Sequence, residues 1–178
     1  MAFNMSFSPI PQYDFRRLTD ISPEFLKALG IRFLMLDLDN TVAAYSEHYP
    51  SDSVLRWTEL IRGCGIELVI VSNSVREGRV ETFAKALQTD YIKGASKPSP
   101  KVVLRKMEES GFRPYNSALV GDQIYTDTLA ANRAGVVSII VRPRRFTNPF
   151  LALRYIMEAP FRVMCRNRIR NSESGIRN

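Results

Sequence analysis

Two aspartates one residue apart, Asp37 and Asp39, stand directly after the apolar run at 31–36. Ser72 follows a second such run at 66–71, Asp122 follows a third at 117–121, and Lys97 lies in the loop Ser96-Lys97-Pro98. Carboxylates gathered in one place repel unless a cation sits among them, and hard oxygen donors with room for water suit Mg2+ better than zinc. Asp37 and Asp122, with Asp39 through a nearby backbone carbonyl, would make such a metal site. Lys97 adds a point positive charge and Ser72 a hydrogen bond, which are what a phosphoryl oxygen requires. Taken singly, Asp-Asn-Thr and Gly-Asp are also ordinary turn and cap sequences; their shared position after apolar runs is what points to a site.

The elements that must position these residues alternate regularly. Buried strands are predicted at 31–36, 66–72, 90–92, 117–121 and 136–141, with helices at about 23–29, 52–63, 75–87, 99–110 and 123–133. This spacing indicates βαβ units with right-handed crossovers, hence a Rossmann-like three-layer α/β/α fold around a mostly parallel five-stranded sheet. In open α/β sheets ligands bind beyond the carboxyl ends of the strands, where all of the residues above fall. The only histidine, His48, sits in a surface loop with no catalytic partner indicated.

A chain of 178 residues suits one domain that needs no disulfide, and Cys64 and Cys165 match neither a zinc spacing nor a disulfide framework. No basic segment precedes an apolar one at the N-terminus, and no apolar run is long enough to span a bilayer, so a cytoplasmic location is expected. The chain divides into a lead-in with a short helix (1–30), the α/β core (31–141) and a tail (142–178). The formal charge of +7 belongs to the tail alone, which holds nine arginines against Glu158 and Glu173. Its aromatic and aliphatic residues are mixed with those arginines, and Pro160 is expected to divide it into two helical pieces. Such a segment can lie on an anionic membrane surface or pack against the sheet.

The order of the pieces resembles the haloacid dehalogenase superfamily of aspartate-nucleophile phosphatases. Its four motifs are matched by Asp37-Leu38-Asp39-Asn40-Thr41, Ser72-Asn73, Lys97-Pro98 and Gly121-Asp122-Gln123-Ile124-Tyr125-Thr126-Asp127. The resemblance implies a Mg2+-dependent phosphomonoesterase in which Asp37 attacks phosphorus to form an aspartyl-phosphate. Asp39 would protonate the leaving alkoxide and then activate water. It further implies phosphate binding by Ser72, Asn73 and Thr41, a catalytic Lys97, and an Asp127 that orients Lys97 or supports the metal shell.

The segments 41–72 and 73–97 are too short for a cap domain, so the site should be open to a bulky substrate. A capless body with a basic tail is similar to the type III-A subfamily that includes phosphatidylglycerophosphate phosphatases. That likeness implies a phospholipid headgroup as substrate and peripheral attachment at the inner membrane face, with deletion after Thr147 weakening vesicle binding more than hydrolysis. A phosphoprotein or nucleic-acid end is the alternative substrate, and a basic-tailed phosphoryl-binding or adaptor module is the non-enzymatic alternative.

Overall fold

The four residues of the central strand, Phe-Leu-Met-Leu, are buried without exception, as befits a strand covered on both faces. The structure, a computed structural model, describes residues 7–145 and 149–175, with side chains described as far as Cys165. Along it run β1 (Tyr13–Phe15), α1 (Pro23–Ala28), β2 (Phe33–Leu36), α2 (Asp52–Gly63), β3 (Glu67–Val71), α3 (Arg79–Leu87) and β4 (Asp90–Ile92). There follow α4 (Lys101–Glu109), β5 (Ser117–Gly121), α5 (Leu129–Ala134), β6 (Val137–Val141) and α6 (Pro149–Gly175). The sheet order is β1-β6-β5-β2-β3-β4. Every pairing is parallel. Successive strand residues point to opposite faces, which splits the core in two. Leu34, Leu36, Ile70 and Val120 pack with Trp57, Ile61 and Phe83 of α2 and α3. Phe33, Met35, Val71 and Leu119 pack with Val103 and Met107 of α4 and Ala130 and Ala134 of α5. These are the three layers expected.

Among the described residues the sheet has six strands where the sequence pattern indicates five. The extra strand, β1, arises from the lead-in and is only three residues long, too short to carry a periodic signal. It is attached to the sheet edge where the Gln12 amide donates to the Ser138 carbonyl at 3.1 Å. The third helix begins at Arg79 and not near 75, because Gly78 adopts a left-handed φ of +70° that ends the preceding loop. The segment predicted as a helix at 123–133 opens with a wide π turn, Ile124–Thr128, before α5. Between Thr41 and Ser72 lie one loop, α2 and β3, so no cap domain intervenes there.

Pro160 does not divide the tail, since α6 runs unbroken from Pro149 to Gly175. Proline removes one backbone hydrogen bond and crowds the preceding turn. Buried contacts on either side of it hold the helix together: Glu158, Arg162 and Cys165 are each at most 2% exposed. Phe150, Leu153, Ile156, Met157, Val163 and Met164 of the same helix are exposed. The tail therefore both packs on the core and presents an apolar ridge. The arginines at 166, 168, 170 and 177 lie outside the described side chains. Among the described residues no helix is long and apolar enough to cross a membrane.

Candidate active site

β2 ends at the centre of the sheet edge, and the chain there turns through Asn40, whose φ of +63° lies in the left-handed region that asparagine tolerates better than most residues. The Asn40 amide donates to the Ala43 carbonyl at 2.7 Å, and the Val42 amide to Leu38 at 3.0 Å. This tight loop faces the Asp37 carboxylate toward two donors, one from the loop itself and one from a distant segment. Thr41 Oγ1 donates to Asp37 Oδ2 at 3.2 Å. Lys97 Nζ donates to Asp37 Oδ1 at 2.6 Å and to the Val71 carbonyl at 2.7 Å.

Lys97 also pairs with Asp127 Oδ1 at 2.7 Å, and its side chain is 1% exposed. Burial alone would lower its proton affinity, but Asp127 and Asp37 more than offset that and raise it above the ordinary lysine value, so it is a fixed cation. Asn73 sets its backbone: the Lys97 amide donates to Asn73 Oδ1 and Asn73 Nδ2 donates to the Lys97 carbonyl, both at 2.9 Å. The Asn73 amide is thus engaged with the lysine loop. Ser72 is buried, with its Oγ accepting from the Ser74 amide at 3.0 Å.

Asp37, Asp122 and Asp127 each place a carboxylate oxygen within 4.8 Å of the other two. Burial pushes the Asp37 carboxyl up to about 7, with the Lys97 ammonium opposing and the Asp127 charge adding to the rise; burial and the charges of Asp37 and Asp127 hold the Asp122 carboxyl well above the usual range. Asp122 Oδ1 is buried without a hydrogen-bond partner among the described residues. An orphaned carboxylate oxygen among crowded acids is unfavourable in the protein alone, and it fits a hard divalent cation. Gly121 makes the approach possible, since a Cβ there would sit 2.2 Å from the Asp127 carboxyl carbon.

Asp39 does not join this carboxylate group. Its Oδ1 accepts from Arg79 Nε at 2.9 Å, and both residues are buried. Arg79 in turn donates to the Ala44 carbonyl at 2.9 Å and to the Glu47 carbonyl, tying the segment after the Asp37 loop to the start of α3. Sequence reading missed Arg79, which sits in a run of charged residues with nothing to distinguish it from a solvated helix start.

It also missed what the tail does at the site. Glu158 Oε1 accepts from the Ile124 amide at 2.9 Å. Arg162 donates to the Asp122 carbonyl at 2.6 Å and to the Val141 carbonyl at 3.2 Å. These side chains brace the segment that carries Asp122. The apolar residues of α6 were an available signal, but the Glu158/Arg162 spacing of i, i+4 is equally common on solvated helices. Deletion after Thr147 would consequently disturb the site together with any membrane contact. His48 is exposed and takes no part.

The model of the haloacid dehalogenase-like hydrolase family matches residues 11–135. The probable phosphatase YqeG of Bacillus subtilis is 30% identical over 142 residues, covering 80% of this chain and 82% of that protein. Among solved structures, 3-deoxy-D-manno-octulosonate 8-phosphate phosphatase of Moraxella catarrhalis, in complex with magnesium, phosphate and KDO, superposes with a TM-score of 0.52 at 18% identity, over 82% of this chain and 95% of that one. A HAD superfamily (subfamily III A) hydrolase from Legionella pneumophila gives a TM-score of 0.51 at 15% identity, over 89% of this chain and 95% of the other. These two structural likenesses bear on the fold.

Proposed function

Since the chain belongs to the haloacid dehalogenase-like hydrolases, we propose that it is a magnesium-dependent phosphomonoesterase working through an aspartyl-phosphate, with phosphatidylglycerophosphate at a membrane surface as its substrate. The observation that carries the chemistry is Asp37 held between Lys97 and Thr41, beside the partnerless oxygen of Asp122. Asp37 Oδ attacks phosphorus while the P–O bond to the leaving alkoxide breaks. Asp39 delivers a proton to that alkoxide through the oxygen not engaged by Arg79, then withdraws one from the water that cleaves the acyl phosphate. Lys97 keeps Asp37 aligned and neutralises charge on the phosphoryl oxygens, aided by the Ser72 hydroxyl. Asp37 and Asp122, with the Asp39 backbone carbonyl and with Asp127 in support, would hold the cation, which when bound shields the anionic ester from the anionic nucleophile.

The lipid reading is supported by the absence of a cap domain and by the ridge of α6. Phe150, Leu153, Ile156, Met157, Val163 and Met164 are each between 49% and 70% exposed, and the sequence that continues the helix adds Arg166, Arg168 and Arg170, a composition that suits anionic headgroups. Two measurements test it. In the first, phosphate release is followed with phosphatidylglycerophosphate in mixed micelles, 3-deoxy-D-manno-octulosonate 8-phosphate, a phosphopeptide and a 3′-phosphorylated oligonucleotide. The lipid should have the highest kcat/KM; a higher value for any of the other three would overturn the substrate assignment.

In the second, Leu153→Glu/Ile156→Glu is compared with the unsubstituted chain for sedimentation with phosphatidylglycerol vesicles. Placing two carboxylates on the ridge should lower vesicle binding by about tenfold or more. These exposed positions make the substitutions compatible with folding, and hydrolysis of para-nitrophenyl phosphate reports on that directly. Equal vesicle binding would remove the membrane assignment.

A further inference from the structure

Beside the carboxylate site, a second cleft opens on the same sheet edge. Its walls include Arg16 and Arg17 after β1, Thr41 of the nucleophile loop, Ser53 in the first turn of α2, and Arg142 and Arg144 after β6. Among the described residues no acidic side chain lines it. The two arginine pairs are joined where the Arg142 amide donates to the Arg16 carbonyl at 3.4 Å, and Arg144 is joined to the nucleophile loop where its amide donates to the Asn40 carbonyl at 3.2 Å. Arg17 is engaged with Asp20 at 2.7 Å and Arg144 with Glu47 at 3.2 Å. Arg16 and Arg142 are exposed, and neither forms an ion pair among the described residues.

We infer that this cleft is a subsite for a second phosphate group of the substrate, the first being the one hydrolysed at Asp37. The inference rests on the phosphomonoesterase reading above. Guanidinium groups present paired donors that match phosphate oxygens, whether in a monoester or a diester. The hydroxyls of Thr19 and Ser53 add neutral donors at the same wall. Thr41 is shared, lining the cleft while its hydroxyl lies 3.2 Å from Asp37 Oδ2. A ligand spanning both sites therefore needs two phosphates separated by a short polar linker. In phosphatidylglycerophosphate the second group is the phosphodiester.

The test is calorimetric, with full-length Asp37→Asn protein in Mg2+ so that no ester is consumed. It is titrated with glycerophosphoglycerophosphate, which is the lipid headgroup without its acyl chains, with glycerol 3-phosphate, and with inorganic phosphate. The doubly phosphorylated headgroup should bind about tenfold or more tightly than glycerol 3-phosphate, the effect of one or two charged hydrogen bonds. Adding Arg16→Ala/Arg142→Ala should erase that advantage, with circular dichroism confirming the fold. Equal affinity for one and two phosphates, or an advantage that survives the double substitution, overturns the subsite. So does a loss of inorganic phosphate affinity as large as the loss for the headgroup, which would mark a general anion site. Failure of the phosphatase reading registers separately, as no phosphate release from either ester by the unsubstituted chain, and leaves the binding comparison intact.

Discussion

Asp37→Asn is expected to lower kcat for any phosphomonoester by at least about 10³-fold while leaving the fold intact. The side-chain amide has the shape of the carboxylate but no anionic oxygen to attack phosphorus. Stability should hold, because Lys97 retains Asp127 at 2.7 Å and the Val71 carbonyl at 2.7 Å. The substitution also removes one of three mutually repelling acids whose oxygens lie within 4.8 Å. Kinetics at saturating Mg2+ and a urea titration check the two halves. A variant that turned over at the parental rate would displace Asp37 as nucleophile, and the two-step mechanism with it.

Lys97→Met should damage both stability and rate. The ammonium is 1% exposed and sits between Asp37 and Asp127; methionine fills much of the same volume but leaves both carboxylates facing each other. Removing one partner from a buried ionic cluster costs about 3–5 kcal/mol, which should appear as a lower urea midpoint. Phosphate release should fall roughly 100-fold or more, since the cation that aligns the nucleophile and meets the phosphoryl charge is lost. Saturating Mg2+ should return part of the stability by neutralising the acids, yet little of the rate. An unchanged urea midpoint in metal-free buffer would show that Lys97 is not the counter-ion the geometry makes it.

The two substitutions separate what is local from what is assembled. Asp37, Asp39, Ser72 and Asp122 were legible because each follows an apolar run of strand length, and a buried parallel strand shows itself as continuous hydrophobicity. Lys97 was legible from its place in a Pro-flanked loop between elements. The strand at Tyr13–Phe15 was not, since three half-buried residues carry no period. The unbroken α6 was not legible either. Proline weighs against a helix locally, whereas the buried Glu158 and Arg162 that hold it to the segment after β5 and to the end of β6 act across more than 20 residues of sequence.

The division at the site follows the same physics. By itself the sequence determined the α/β order and the chemical types that reach the sheet edge, because strand burial and strand-end polarity are properties of neighbouring residues. Tertiary structure alone decided the partnerships. It turned Asp39 toward Arg79, 40 positions away, and grouped Asp127 with Asp37 and Asp122. It engaged the Asn73 amide with the Lys97 backbone and set four arginines from opposite ends of the chain around one cleft beside Thr41. Which charge meets which depends on where helices and loops come to rest against the sheet, and no local period encodes that.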